Sequence, residues 1–197
     1  MKPALLIDFD GTLCHDKFWR SLPTETLEKI KIFEFGGSGI AQKWMRGEHT
    51  SEEVNQSIAK EIGMPYAELW NIFVDNCSSM QVSAEVLEKI NSLRVRYHTV
   101  LLTDNMDSFD RFTVPALNLQ NYFDLIINSY TEKRGKNDDE GKLMLDVLQR
   151  VGSEAKESYL LDNSESSCNI FTVLGGTSFL VTSEQNLKYW LDKEFDD

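Results

Sequence analysis

Ala4-Leu5-Leu6-Ile7-Asp8-Phe9-Asp10-Gly11-Thr12 is the stretch on which the fold turns. Four apolar residues run without interruption into two aspartates, a glycine and a threonine. A strand that is apolar on both sides belongs in a parallel sheet covered by helices on both faces. Side chains two apart on an extended chain point the same way. Asp8 and Asp10 are therefore expected to face together, with Phe9 on the opposite side. Gly11 lets the chain turn away through a backbone conformation that other residues resist.

Working outward, similar apolar runs occur at 100–102, 125–127 and 159–161, with a weaker one at 178–181. Helical patterns separate them. Residues 82–93 carry Ser83 as a candidate N-cap and place Val86, Leu87, Ile90 and Leu93 on one face. Residues 141–151 do the same with Leu143, Met144, Val147 and Leu148, and 164–174 and 183–191 read as two more helices. Strand alternating with helix predicts an α/β fold, a doubly wound (Rossmann-like) parallel sheet.

One segment breaks the alternation. Between residues 17 and 80 the patterns are helical throughout, at 24–35, 40–46, 51–62 and 66–77. Gly36-Gly37-Ser38-Gly39, Gly47 and Gly63-Met64-Pro65 punctuate them. This predicts an all-helical module, 17–80, inserted into an α/β core made of 1–16 and 81–197. The acidic ending Glu194-Phe195-Asp196-Asp197 reads as a frayed tail.

Bulk composition narrows the function. The chain has 197 residues, 41% hydrophobic, which supports a real core. A net charge of -12 repels a phosphate backbone at long range, so no nucleic-acid partner is expected. Cys14, Cys77 and Cys168 are odd in number and far apart, which argues against disulfides and against a zinc site. No stretch approaches the roughly 20 apolar residues of a membrane span, and the N-terminus lacks the pattern of a secretory signal. A cytoplasmic protein is the expectation; the oligomeric state is left open.

The apolar runs end in polar residues: the first in Asp8 and Asp10, the second in Thr103, the fourth in Asp162. Ligands of open parallel sheets bind at the carboxyl ends of the strands, so these residues are expected to meet in one crevice. Adjacent carboxylates repel and need a cation or a proton. Mg²⁺ prefers oxygen ligands and takes only one or two carboxylates from a protein, and Asp162 can supply one from across the crevice. Taken singly, each residue has a plainer reading: Asp8 and Asp10 in a turn, Thr103 in packing, Asp162 as a helix cap. Trp19, Trp44 and Trp70 read as core aromatics, and Cys14 as a packing residue.

These residues together resemble the haloacid dehalogenase-like (HAD) hydrolases. Asp8-Phe9-Asp10-Gly11-Thr12 matches that family's first motif, Leu101-Leu102-Thr103-Asp104-Asn105 its second, and Leu161-Asp162-Asn163-Ser164 its fourth. The third is a lysine ahead of a later helix. Lys133, Lys136 and Lys142 are all near, and Lys136 fits the placement, although the customary following proline is absent. The inserted helices fall where family members carry a cap.

The resemblance implies an Mg²⁺-dependent phosphatase acting on a small phosphorylated metabolite. Asp8 would be the nucleophile that forms an aspartyl-phosphate, and Asp10 the general acid and base. Thr103, Asp104 and Lys136 would bind the phosphate. Asp8, Asp10 through its backbone carbonyl, and Asp162 would hold the metal. Asn163 stands where relatives often carry a second acid, and would reach the metal through a neutral oxygen or a water, weakening but not abolishing its binding. A phosphomutase and a phosphate-binding regulatory protein without turnover would use the same residues. A dehalogenase would leave Asp10 without work, because halide departs without a proton.

Overall fold

The computed structural model describes residues 2–35 and 39–195. Strand β1, Ala4–Ile7, is buried at every position and lies at the centre of a five-stranded sheet. The other strands are β2 (His98–Thr103), β3 (Leu125–Asn128), β4 (Tyr159–Asp162) and β5 (Thr177–Leu180). The sheet order is β3-β2-β1-β4-β5 and every pairing is parallel. This is the predicted doubly wound sheet, with β1 and β4 adjacent at the point where the winding reverses.

Successive β1 side chains enter different cores, as the period of two requires. Leu5 and Ile7 pack with Val86, Leu87, Ile90 and Leu93 of α5 (Ala84–Leu93) and with Leu187 and Leu191 of α10 (Leu187–Glu194). Ala4 and Leu6 pack with Leu143, Met144, Val147 and Leu148 of α8 (Lys142–Val151) and Phe171 of α9 (Glu165–Val173). Helices thus cover both faces, which explains why β1 reads as continuously apolar.

Between β1 and α5 lie α1 (Thr24–Phe35), α2 (Ile40–Met45), α3 (Ser51–Ile62) and α4 (Tyr66–Ser78). Helix α3 starts with a capping box: Thr50 Oγ1 accepts from the Glu53 amide while Glu53 Oε2 accepts from the Thr50 amide. It ends on Gly63 in the left-handed conformation, at φ 70°. These helices gather around an apolar cluster built on Trp19, Trp44, Ile58, Leu69 and Phe73, which Met106 from beyond β2 also joins. Trp19 and Phe73 meet with ring centroids 5.1 Å apart. The linker residues 36–38 lie outside the described residues, and Gly39 caps the N-terminus of α2.

After β2 the chain forms a π-helical turn, Phe109–Thr113, running into the short α6 (Val114–Ala116); a further short helix, α7 (Ser129–Glu132), follows β3. Neither has a periodicity long enough to read from sequence. Two expectations need correction. The last helix begins at Leu187 rather than 183, because Asn186 is its cap, accepting from the Tyr189 amide, while Thr182 and Gln185 close a turn ahead of it. Phe195 is not part of a frayed tail: it is 2% exposed and packs edge-on against Tyr97 and Tyr159. Asp196 and Asp197 lie outside the described residues. Among the described residues no helix is long and apolar enough to cross a membrane.

Candidate active site

Asp8 continues β1, its amide donating to the Leu161 carbonyl at 3.0 Å, so the strand pairing with β4 carries through to the first aspartate. The chain then turns sharply. The Leu13 and Cys14 amides both donate to the Phe9 carbonyl, and the Gly11 amide donates to the Cys14 carbonyl at 2.7 Å. Gly11 has φ 81°, which a side chain resists, and a Cβ there would lie 2.2 Å from the Asn163 amide nitrogen. Phe9 points to the core and packs on Phe109 with centroids 4.8 Å apart. Cys14 is buried too, and burial pushes its thiol up to about 11, so at neutral pH it stays a packing group.

Of the three lysines, Lys136 reaches the aspartates. Its Nζ donates to Asp8 Oδ1 at 2.7 Å and to Asp162 Oδ2 at 2.6 Å, and all three side chains are buried. Lys133 instead donates to the Gly47 carbonyl and sits over the Tyr130 ring, and Lys142 is exposed at the start of α8. The termini of β1 and β4 therefore meet through one ammonium group. Burial is the largest influence on Asp8 and raises its carboxyl to about 7; repulsion from Asp162 and Asp10 adds to this, while Lys136 opposes it. Burial acts against the charged form of Lys136, but Asp8, Asp162 and Asp104 outweigh it and hold the ammonium well above the ordinary lysine range.

Asp10 is held separately. Asn105 Nδ2 donates to Asp10 Oδ2 at 2.8 Å, and burial raises this carboxyl against the pull of Lys17 and Lys136. Asn105 is not among the site residues expected from the sequence. Its position two residues beyond Thr103, on the same side of an extended segment, was the available signal. Thr103, at the end of β2, is fully buried, and its Oγ1 has no hydrogen-bond partner among the described residues. A buried hydroxyl left unpaired is costly, so this oxygen is poised for a ligand.

Asp104, expected among the phosphate binders, turns its carboxylate toward the lysine loop. Its carboxylate accepts the Lys136 backbone amide at 2.9 Å. An anionic side chain repels phosphate, so what Asp104 contributes through its carboxylate is the placement of the lysine loop. Asp138 does related work: it accepts the Gly135 amide at 2.7 Å and forms two hydrogen bonds with Arg46, at the end of α2. Asn163 is exposed beside Gly11, and its amide donates to Thr12 Oγ1 at 3.1 Å. Asp162 is steadied by the Ser164 amide, which donates to its Oδ1 at 2.8 Å.

Asp8, Asp162 and Asp104 lie around the Lys136 ammonium and Asp10 lies within reach of Lys17 and Lys136, so the crevice is lined with hard oxygen donors. Among the described residues no three acidic, histidine or cysteine side chains are grouped as a metal cage. The set suits a magnesium ion, which takes one or two carboxylates and keeps several waters, better than a metal that needs a full protein shell.

The family model of the haloacid dehalogenase-like hydrolases matches residues 2–163, which is most of the chain and includes Asp8, Asp10, Thr103, Lys136 and Asp162. The chain belongs to the haloacid dehalogenase-like hydrolase family. No curated protein sequence matches it. Solved HAD structures share its fold. A variant of an HAD family enzyme from Bacteroides thetaiotaomicron, in complex with magnesium and inorganic phosphate, superposes with a TM-score of 0.75 at 20% identity, covering 98% of this chain and 100% of that one. A predicted HAD-like family hydrolase from Porphyromonas gingivalis gives 0.68 at 18% identity, covering 91% of each chain. The L-2-haloacid dehalogenase of Xanthobacter autotrophicus with chloropropionic acid covalently bound gives 0.61 at 13% identity, covering 100% of this chain and 83% of that one. HAD hydrolases thus include both phosphate-bound and halocarbon-bound relatives of this fold, and the site residues must decide between them.

Proposed function

We propose that this HAD hydrolase is a magnesium-dependent phosphatase of small phosphomonoesters. The observation that carries the reading is Asp10: a carboxyl group close to Asp8, held by Asn105 and raised by burial so that it retains a proton more readily. Ester cleavage needs that proton, because an alkoxide is a poor leaving group, whereas halide departure does not.

Asp8 attacks phosphorus through a carboxylate oxygen, forming an acyl phosphate as the ester P–O bond breaks. Asp10 gives its proton to the departing alcohol oxygen. The Asp10 carboxylate then takes a proton from water as that water attacks the phosphoryl group, releasing inorganic phosphate and regenerating Asp8. Lys136 and the Thr103 hydroxyl orient the transferring phosphoryl oxygens, and Lys136 offsets part of their charge. Asp8, Asp162 and the Asp10 carbonyl are the groups that would hold magnesium, whose charge offsets the repulsion between a carboxylate and a phosphate dianion. Residues 17–80 act as a cap over the crevice, limiting water and favouring small substrates.

The test is inorganic phosphate release from a metabolite panel with and without Mg²⁺, beside chloride release from 2-chloropropionate. The expected result is metal-dependent phosphate release that is lost in Asp8→Asn and slowed about 10²–10⁴-fold in Asp10→Asn. Chloride release without phosphate release overturns the reading.

A further inference from the structure

A cavity of about 750 Å³ opens from the catalytic crevice into the helical segment. Asp10 and Asp104 lie in its wall, so it is continuous with the site. Its apolar surface comes from Phe18, Trp19, Leu27, Ile30, Met45 and Met106. The size is that of pockets that enclose most of an organic ligand.

Besides Asp10 and Asp104, the polar part of this wall is His15, Asp16, Lys17, Arg20 and Lys31, so it is made of ionisable side chains rather than neutral hydroxyls and amides. Among the described residues lining it, none is Ser, Thr, Asn, Gln or Tyr. Several of its other polar atoms already have partners. Trp19 Nε1 donates to Asn55 at 2.9 Å. The Arg20 guanidinium donates to the Asn76 and Ser79 carbonyls, and Asp16 accepts the Gln81 amide. A sugar ring seated against Phe18, Leu27, Ile30 and Met45 would lose water from its hydroxyls and find no partners for them on that side. An apolar group would lose nothing and bury its surface against Phe18, Leu27, Ile30 and Met45. Lys17 also lies in the wall and within electrostatic reach of Asp10, where it attracts the phosphate end of the substrate.

We infer that the leaving group of the substrate is an apolar alcohol, aromatic or branched aliphatic, seated in this cavity with its phosphate directed at Asp8. The inference rests on the phosphatase reading and adds the substrate class to it. The reaction is the same ester hydrolysis: the P–O bond to the alcohol breaks, water supplies the hydroxyl of the phosphate product, and the alcohol leaves protonated.

The experiment compares primary-alcohol monoesters, so that leaving-group basicity is matched: 2-phenylethyl phosphate and 3-methylbutyl phosphate against glucose 6-phosphate and ribose 5-phosphate. Acetyl phosphate serves as a small substrate that does not fill the cavity. The expected kcat/KM is about 100-fold higher for the apolar pair, from the apolar area buried. In Leu27→Asn and Met45→Gln, the KM for 2-phenylethyl phosphate rises about tenfold and its advantage over glucose 6-phosphate shrinks by a similar factor. Thermal unfolding of both variants confirms that they fold. Equal or better turnover of the sugar phosphates overturns the substrate class alone, as does an unchanged preference in both folded variants. No phosphate from any ester or from acetyl phosphate overturns the phosphatase reading beneath it.

Discussion

Arg46 and Asp138 form a two-point ion pair, Nη2 to Oδ1 at 2.6 Å and Nε to Oδ2 at 3.0 Å, that joins the end of α2 to the loop carrying Lys136. The same Asp138 carboxylate accepts the Gly135 amide, one residue before the lysine. The pair is about a third exposed on each side, so its direct contribution to stability is small, at most ~1 kcal/mol. Its consequence is positional: the helical segment and the lysine loop share one carboxylate.

Arg46→Ala is therefore expected to lower kcat about tenfold while shifting the melting temperature by only a few degrees. Arg46→Lys recovers only part of the loss, because an ammonium group cannot supply the two parallel bonds. Steady-state kinetics beside thermal unfolding separates the two effects. A large fall in stability with unchanged kcat contradicts the positional role.

Thr103→Val removes a buried hydroxyl that has no partner while keeping the shape of the side chain. The variant is expected to be as stable as the native protein or more so by about 1 kcal/mol, because an unsatisfied polar group is lost. Its phosphate affinity is expected to fall about 10–100-fold, the value of one hydrogen bond to a charged group. Denaturant unfolding and inhibition by inorganic phosphate measure the two sides. Lost stability with phosphate affinity intact would mean the hydroxyl is structural.

Asp107 gives a pH prediction away from the reacting groups. It accepts from Trp44 Nε1 at 2.8 Å, Ser51 Oγ at 2.6 Å and Arg111 Nη1 at 2.7 Å, and Arg111 also pairs with Glu52 of α3. Burial pushes its carboxyl up, but the bonds from Ser51, Trp44 and Arg111 outweigh it and hold the pKa below the ordinary 3.8. A lowered folded-state value contributes stability that is present above the unfolded value and lost as pH falls through the folded one. The contacts between the helices and the β2 loop should accordingly weaken below about pH 4. Asp107→Ala, which strands Trp44 Nε1 and Ser51 Oγ, costs about 1–3 kcal/mol for each stranded group at neutral pH and flattens this acid limb. Unfolding curves from pH 3 to 7 check both; an acid limb of unchanged slope in the variant assigns it to other carboxylates.

Asn163→Asp nearly preserves the shape of a side chain that already sits beside Gly11, and adds a carboxylate next to Asp162. The half-saturating Mg²⁺ concentration for activity is expected to fall several-fold. A titration of activity against metal concentration decides it, and an unchanged or raised requirement removes Asn163 from the metal's surroundings.

Much of the fold was legible because the strands are buried on both faces and the longer helices carry one apolar stripe each. Ala4–Ile7 and Leu125–Asn128 are apolar runs within a residue or so of the expected ranges, and Ser51–Ile62 fell where its pattern put it. The convergence of Asp8, Thr103 and Asp162 was legible too, because parallel strands deliver their carboxyl ends to one edge. What escaped depends on contacts between distant residues. Asp107 meets Trp44 and Ser51 across more than fifty residues, and Asp138 meets Arg46 across ninety-two. Phe195, in an acidic ending, is buried because Tyr97, Tyr159 and Phe179 offer it a surface. The π-helical turn at Phe109–Thr113 is one turn long, too short for any period to show.

The central place of β1 also sets the order in which the protein can become competent during its synthesis. The strand leaves the ribosome well ahead of both neighbours, since it pairs with β2 from His98 and with β4 from Tyr159. Until then its apolar side chains have no sheet to join, and closing such long loops makes this the slow part of assembly. A nascent chain that has not yet reached Asp162 holds Asp8 in an unfinished sheet, so the crevice is complete only once the far half of the molecule has been made.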